Sequence, residues 1–200
     1  MSLIKNYHII KKARVTHGFF TRLDGFSKKE FRSLNCSISS GDNKKLVLKN
    51  RQKAQKNLGL QNKKLILINQ IHSSKVVQIN KSNINKKIEA DGMMTSLNNV
   101  VLGVLTADCA PIFIYDNKNK FVCCLHSGWK GTLKNISKKA VNLLCKHKIN
   151  TKNITAIIGP CLNKKNYEVD KSFEKKFLKK NYRYKKFFKS KNKTKSLFNL

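Results

Sequence analysis

The stretch from Val100 to Gly131, VVLGVLTADCAPIFIYDNKNKFVCCLHSGWKG, decides the fold of this chain. Its two apolar runs, VVLGVL and FVCCL, are short, rich in Val and Phe, and bounded by Gly, Pro or Asn, which is typical of buried strands. Between them, the segment PIFIY and the turn-forming residues 116–119 predict a hairpin. The first run leads to Cys109 and the second to His126, so we expect a thiol and an imidazole to meet at one edge of a sheet.

The flanking sequence predicts a mixture of helices and strands. Asp42 is predicted to cap a helix that Gly59 closes, and apolar residues at spacings of three and four predict a second helix after Gly131. A further short helix with a basic loop is predicted from Lys171 onward. Buried strands are predicted at residues 65–68, 76–79 and 154–158.

Length and composition predict one domain over residues 1–200 and no membrane span. No apolar run approaches the length that a bilayer requires, and no secretory leader is recognisable at the start. The 6 cysteines contain no CxxC pair and are expected to be reduced thiols. We therefore expect a cytoplasmic protein, either a monomer or a homodimer.

The formal net charge of +33 raises the question of a nucleic-acid partner. Nearly all of the basic residues are Lys, mixed with Asn and Ile along the whole chain, as a compositional drift would produce. A nucleic-acid binder more often gathers Arg and aromatic residues on one face. The pattern disfavours a nucleic-acid partner, but a non-catalytic anion-binding or nucleic-acid-binding protein stays an alternative.

Three residues at predicted strand ends, His72, Cys109 and His126, are of the types that bind zinc. Two imidazoles and one thiolate leave a fourth tetrahedral position open for water or substrate. The alternative is a hydrolase in which His126 activates Cys109 as the nucleophile, with His72 a bystander. Asp108 could orient an imidazole in either scheme, or cap a turn. A cluster of several copper ions is disfavoured, because the chain has only 5 histidines.

Anion-binding candidates are Arg22 beside a glycine loop, Arg51 on the polar side of the first helix, and Lys130. Lys130 lies in the loop 127–131, which is predicted to open onto a helix N-terminus that favours an anion.

Several motifs in fixed order resemble the YfiH family of laccase-domain proteins, from about His17 to Val169. They are HGFFTRLDG, NQIHSSKV, ADGMMTS, GVLTADCAP, LHSGWKG, and IIGPC followed by YEV. The resemblance implies an α+β fold in which two mixed sheets pack face to face with helices outside, as in cysteine hydrolases. It also implies a zinc site at His72, Cys109 and His126, with copper as a less favoured metal.

The family was once described as polyphenol oxidases and is now associated with purine nucleoside phosphorolysis. The resemblance therefore implies that inorganic phosphate converts adenosine or inosine to the free base and ribose 1-phosphate. Adenosine deaminase and methylthioadenosine phosphorylase activities are implied as further reactions. Two departures stand out: Lys130 occupies a position where the family usually has Arg, and nothing matches the family's later Phe-Ser-x-Arg-Arg stretch. The domain is thus predicted to lack the usual C-terminal segment.

Overall fold

The computed structural model describes residues 3–4, 15–118 and 120–200. Its mixture of sheets and helices confirms the expected α+β class. The strands are β1 Leu3–Ile4, β2 Phe19–Phe20, β3 Lys64–Leu67, β4 Val76–Gln78, β5 Gly92–Thr95, β6 Val100–Gly103, β7 Ala110–Asp116, β8 Val122–Ser127, β9 Ile154–Ile158, β10 Glu168–Asp170, β11 Phe188–Ser190 and β12 Lys195–Phe198. The α-helices are α1 Lys44–Asn57, α2 Trp129–Leu133, α3 Ile136–Lys146 and α4 Lys171–Lys180. None of the helices in these described ranges combines the length and apolar character needed to cross a bilayer.

A mixed five-stranded sheet in the order β4-β5-β8-β7-β9 forms the centre of the fold. Only β4 and β5 run parallel, and the expected β7–β8 hairpin pairs Pro111 with His126. Helix α3 packs on one face because Ile136, Ala140 and Leu144 recur at helical spacing and bury against the apolar residues of β7 and β8. The turn of the hairpin is described for Asn117 and Lys118, whereas residue 119 lies outside the described part.

Three smaller sheets surround this centre. The parallel pair β3–β6 contributes Ile66 and Val100 to a second core that also contains Met93 of β5. The antiparallel sheet β10-β12-β11 packs with α4 around Phe177 and Phe198, and β1 pairs with β2. Trp129 at the start of α2 also packs into the aromatic cluster of α4 and β12, so the C-terminal sheet holds α2 in place.

The predicted strands are confirmed as β3, β4 and β9 within a residue at each end. The first helix is also confirmed, but its cap is Asn43 rather than Asp42. The side chain of Asn43 accepts hydrogen bonds from the amides of Lys45 and Leu46, whereas a carboxylate oxygen of Asp42 accepts from the amide of Asn43. Gly59 follows the end of α1 with a φ of +69°, a left-handed conformation that favours glycine.

The prediction of one helix after Gly131 is wrong in two respects. The helix already begins at Trp129, so Gly131 lies inside α2, and Asn135, with a φ of +56°, separates α2 from α3. A side chain at position 131 would come within 3.0 Å of the backbone oxygen of Ser73, so glycine lets α2 approach the loop that contains His72.

The expected helix from Lys171 is confirmed as α4, but the segment after it belongs to a sheet and is not the predicted basic loop. Phe198 of β12 is 1% exposed, and its strand pairs with β10, nearly thirty residues earlier in the chain. Such long-range pairing leaves little local signal in a lysine-rich segment.

Candidate metal centre

The structure brings His72, Cys109 and His126 together. Their ligand atoms all lie within 4.8 Å of one another, and the two imidazole rings meet edge to face with centroids 4.8 Å apart. His126 is buried, Cys109 is half-buried and His72 is exposed, so the cluster opens to solvent on the side of His72.

Each side chain is positioned by a different part of the central sheet. His126 lies near the end of β8 and pairs across the hairpin with Pro111, while Cys109 directly precedes β7. This register places the thiol and the imidazole at the same end of the hairpin. His72 lies in the loop between β3 and β4, with a φ of +54° that is uncommon for a residue with a side chain.

Asp91, which is completely buried before β5, connects the two histidines. One of its carboxylate oxygens accepts hydrogen bonds from Nδ1 of His126 at 2.8 Å and from the amide of His72 at 3.0 Å. The other accepts from the amide of Ile71 at 3.3 Å, and from the amide and hydroxyl of Ser73 at 2.5 and 2.7 Å. Asp91 thereby offsets the strain of the left-handed His72.

The pKa of the Asp91 carboxyl reflects these bonds. Burial alone would raise it, but the hydrogen bonds from His126 and Ser73 favour the charged form and hold the pKa below its ordinary value. An ionised Asp91 accepts the Nδ1 proton of His126 and leaves the Nε2 lone pair of that ring available to a metal. Sequence reasoning considered only Asp108 for this task. Asp108 is exposed, so Asp91 is the residue that sequence reasoning missed.

Gly128 covers the cluster from the start of α2. A β-carbon there would lie 2.9 Å from the sulfur of Cys109 and 3.4 Å from Cδ2 of His72. A side chain at this position would displace the thiol of Cys109, so the glycine preserves the observed arrangement.

Negatively charged groups lie near the thiol of Cys109. Burial first, and then the carboxylates of Asp108 and Asp91 and the thiol of Cys161, raise the pKa of Cys109. Burial and the nearby Cys109 and Asp108 also raise the pKa of Tyr167, a residue that sequence reasoning did not select. A cation at the cluster would stabilise the thiolate that these neighbours disfavour. Two imidazoles, one thiol and negative surroundings fit a bound zinc ion.

The anion-binding candidates fall in two places. Arg22 and Arg51 line a cavity of about 1060 Å³, and none of the three cluster residues is in its described lining. Arg51 is half-buried and donates from Nε to the backbone oxygen of Cys36 at 2.8 Å, which ties the preceding loop to α1. Lys130, in contrast, lies two residues after Gly128 in the first turn of α2, exposed, with Nζ 5.6 Å from the centre of the Trp129 ring.

The fold and the cluster together define an α+β protein with a candidate metal centre of two histidines and a cysteine at one end of a β-hairpin. The sequence profile of the family described as multi-copper polyphenol oxidoreductase laccase matches residues 16–200. The chain belongs to this family. Within the described residues, His72, Cys109 and His126 are the group of ligand-type side chains close enough to share an ion.

Two similar proteins are named purine nucleoside phosphorylase. One, from Rickettsia conorii, is 36% identical over 124 residues, which cover 62% of this chain and 50% of that protein. The other, YlmD of Bacillus subtilis, is 32% identical over 165 residues, which cover 78% of this chain and 59% of that protein. The matched part thus spans between half and three fifths of these relatives.

Two solved structures are similar over nearly the whole chain. A Neisseria meningitidis protein superimposes with a TM-score of 0.83 at 25% identity, covering 100% of this chain and 79% of that chain. YfiH of Bacillus licheniformis gives a TM-score of 0.81 at 26% identity, covering 91% of this chain and 72% of that chain. These matches confirm the resemblance to the YfiH family.

Proposed function

We propose that this chain is a metal-dependent purine nucleoside phosphorylase with zinc as its metal. The observation that carries the proposal is the convergence of His72, Cys109 and His126, with His126 held by the buried Asp91 in the tautomer that can bind a metal. The names of the relatives from Rickettsia conorii and Bacillus subtilis support the substrate class. Inorganic phosphate would attack the ribose carbon of adenosine or inosine, the bond to the purine would break, and the base would leave with a proton.

His72, Cys109 and His126 would hold the zinc, which would act as a Lewis acid and would lower the pKa of a bound water. The remaining task for the protein is to orient the two substrates. The exposed ammonium of Lys130 is a candidate for the phosphate because it lies in the helical turn that begins beside the cluster. An ammonium holds phosphate as a point charge, more loosely than the two-pronged guanidinium that the family usually has there.

Adenosine deamination is proposed as a second reaction of the same centre. It uses water rather than phosphate, so it does not depend on an anion-binding residue. Methylthioadenosine phosphorolysis would need the same phosphate contact as the main reaction.

The hydrolase alternative, with Cys109 as a free nucleophile, is disfavoured by the electrostatics of the thiol. Reactive cysteines have a lowered pKa, usually next to a cation. Burial and two carboxylates instead raise the pKa of Cys109.

The deciding experiment is phosphate-dependent release of hypoxanthine from inosine by the purified, zinc-loaded chain, with His126→Ala as the inactive control. Lys130→Ala should raise the phosphate concentration needed for half-maximal rate and leave adenosine deamination unchanged. Lys130→Arg should lower it, and Lys138→Ala, another exposed lysine on the next helix, should have no effect. Equal losses of both reactions in Lys130→Ala would refute its phosphate role. Absence of phosphorolysis in zinc-loaded protein would refute the proposed function.

A further inference from the structure

A second cleft, of about 570 Å³, lies behind the loop that contains His72. One wall is the segment from Ser73 to Val76, and the other is formed by α3 and Lys134. Four of the nine lining residues are lysines, three more carry hydroxyl or amide groups, and none is acidic: Ser73, Ser74, Lys75, Val76, Lys134, Lys139, Asn142, Leu143 and Lys146. None of the three proposed metal ligands is in this lining.

The cleft has a fixed polar group at its wall. Ser74 is only 5% exposed, and its oxygen accepts a hydrogen bond from Nζ of Lys139 at 2.7 Å. This bond holds one ammonium over the cleft. Within the described residues, the hydroxyl hydrogen of Ser74 has no acceptor, so it can donate to a ligand.

The positive charge of the cleft has no carboxylate counterion among the described residues. The ion pairs found in the described ranges involve Lys53, Lys171, Lys191 and Lys195, and His126. None of the four cleft lysines is among them. Like charges around one concavity repel each other, and a bound anion would relieve that repulsion.

We propose that this cleft is a binding site for a phosphate group, carried by inorganic phosphate or by a small phosphomonoester. A phosphate has enough acceptor oxygens to take hydrogen bonds from several ammonium groups, the Ser74 hydroxyl and the Asn142 amide at once. The lining is a small patch of nine residues, which favours a compact anion over a nucleic-acid strand, because a strand needs an extended basic track. The site does not include the three proposed metal ligands, and its anion takes no part in the proposed reaction.

Phosphate binding should also reduce the mobility of the neighbouring loop that contains His72. Ser73 and Ser74 directly follow His72, and Ser73 shares the carboxylate of Asp91 with that residue. An anion that fixes Ser74 and Lys75 would therefore order the segment that holds His72.

The test compares two double variants of equal charge by calorimetric titration at constant ionic strength. Lys139→Gln with Lys146→Gln removes two cleft lysines seven residues apart on α3, and Lys49→Gln with Lys56→Gln removes two exposed lysines seven apart on α1. Inorganic phosphate and ribose 5-phosphate are the two probes. We expect saturable binding that weakens about tenfold or more in the cleft variant and less than about twofold in the control. The probe that binds more tightly identifies the source of the phosphate group.

Two further measurements locate the anion. Phosphate should slow amide hydrogen exchange at residues 74–76 in the unmodified protein and not in the cleft variant. Cys109→Ala should retain this binding, because the cleft does not include the metal centre. Equal weakening in both double variants, the absence of saturable binding, or a requirement for Cys109 would each overturn the proposal. The last result would leave the proposed phosphorylase function standing.

Discussion

Replacing Asp91 by Asn tests the central feature of the candidate metal centre with almost no change in side-chain volume. The carboxylate accepts five hydrogen bonds through two oxygens, and every partner is a donor. An amide keeps one acceptor oxygen and turns the other into a donor. If its nitrogen faces His126, Nδ1 of the ring must become the acceptor, so the proton moves to Nε2 and the metal-binding lone pair is lost.

If the amide nitrogen instead faces Ser73, it opposes the backbone amides of Ile71 and Ser73, and both of these bonds are lost, whereas the Ser73 hydroxyl can turn to accept. Bonds to a charged acceptor contribute about 1.5–3 kcal/mol each, so the unfolding free energy should fall by about 3 kcal/mol in either orientation. Loss of such a bond behind a metal-binding histidine typically weakens metal affinity by about 10–100-fold.

Competition with a chromophoric chelator measures the zinc affinity, and urea denaturation measures the stability. Asp108→Asn is the matched control, because this exposed carboxylate also lies near Cys109. The pKa of Asp91 is lowered in the folded state, so the ionised carboxylate stabilises the fold at neutral pH. This stabilisation is lost as the pH falls below the ordinary pKa of about 4 and through the lowered pKa of the folded state. Asp91→Asn should therefore flatten the acid limb of the stability profile. Unchanged zinc affinity with reduced stability would confine Asp91 to the fold, and no change in either would refute the reasoning.

Three other substitutions test the site and the core. Cys109→Ala should lower zinc from about one ion per chain to a trace in elemental analysis; full turnover by metal-free protein would favour the thiol nucleophile instead. Gly128→Ala should weaken zinc binding by about tenfold, with an unchanged circular dichroism spectrum, because its β-carbon would lie 2.9 Å from the sulfur of Cys109; unchanged affinity would mean that the thiol can shift at no cost. Cys124→Ser, at a position 2% exposed in β8, should lower the unfolding free energy by about 1–3 kcal/mol, whereas Cys145→Ser, at an exposed position on α3, should change it by less than about 0.5 kcal/mol. Equal effects in urea denaturation would contradict the assignment of Cys124 to the core.

The parts of the fold that sequence predicts are those with a local signal. Continuous apolar runs indicate β3 and β9, and the hairpin of β7 and β8 follows from two such runs with a turn between them. The hairpin already places Cys109 beside His126. The approach of His72 depends on a loop more than thirty residues earlier, and sequence alone offers it only as the end of a predicted strand.

The structural features that sequence analysis misses depend on tertiary contacts. The helix after Gly128 breaks at Asn135 although its apolar spacing continues. On either side of the break, α2 packs on the His72 loop and α3 packs on the central sheet. The strand β12 is short and lysine-flanked, and it exists through its pairing with β10. Asp91 precedes a glycine, which is typical of a turn, and only its complete burial reveals another role. An acidic residue directly before a buried strand was the available signal.

The burial of Asp91 is unexpected in a chain with so few acidic residues. Only 10 residues are acidic, against 43 Lys and Arg. At the surface, each carboxylate would reduce the repulsion among the lysines, whereas burial of an ionised group costs several kcal/mol unless it is fully bonded. Asp91 is nevertheless 0% exposed, and all the hydrogen-bond partners of its carboxylate belong to His126 or to the loop 71–73. A buried carboxylate does little for solubility. This one holds the imidazole of His126 and the backbone of His72 at one end of the sheet. The cost of its burial is therefore explained by the geometry of the metal centre.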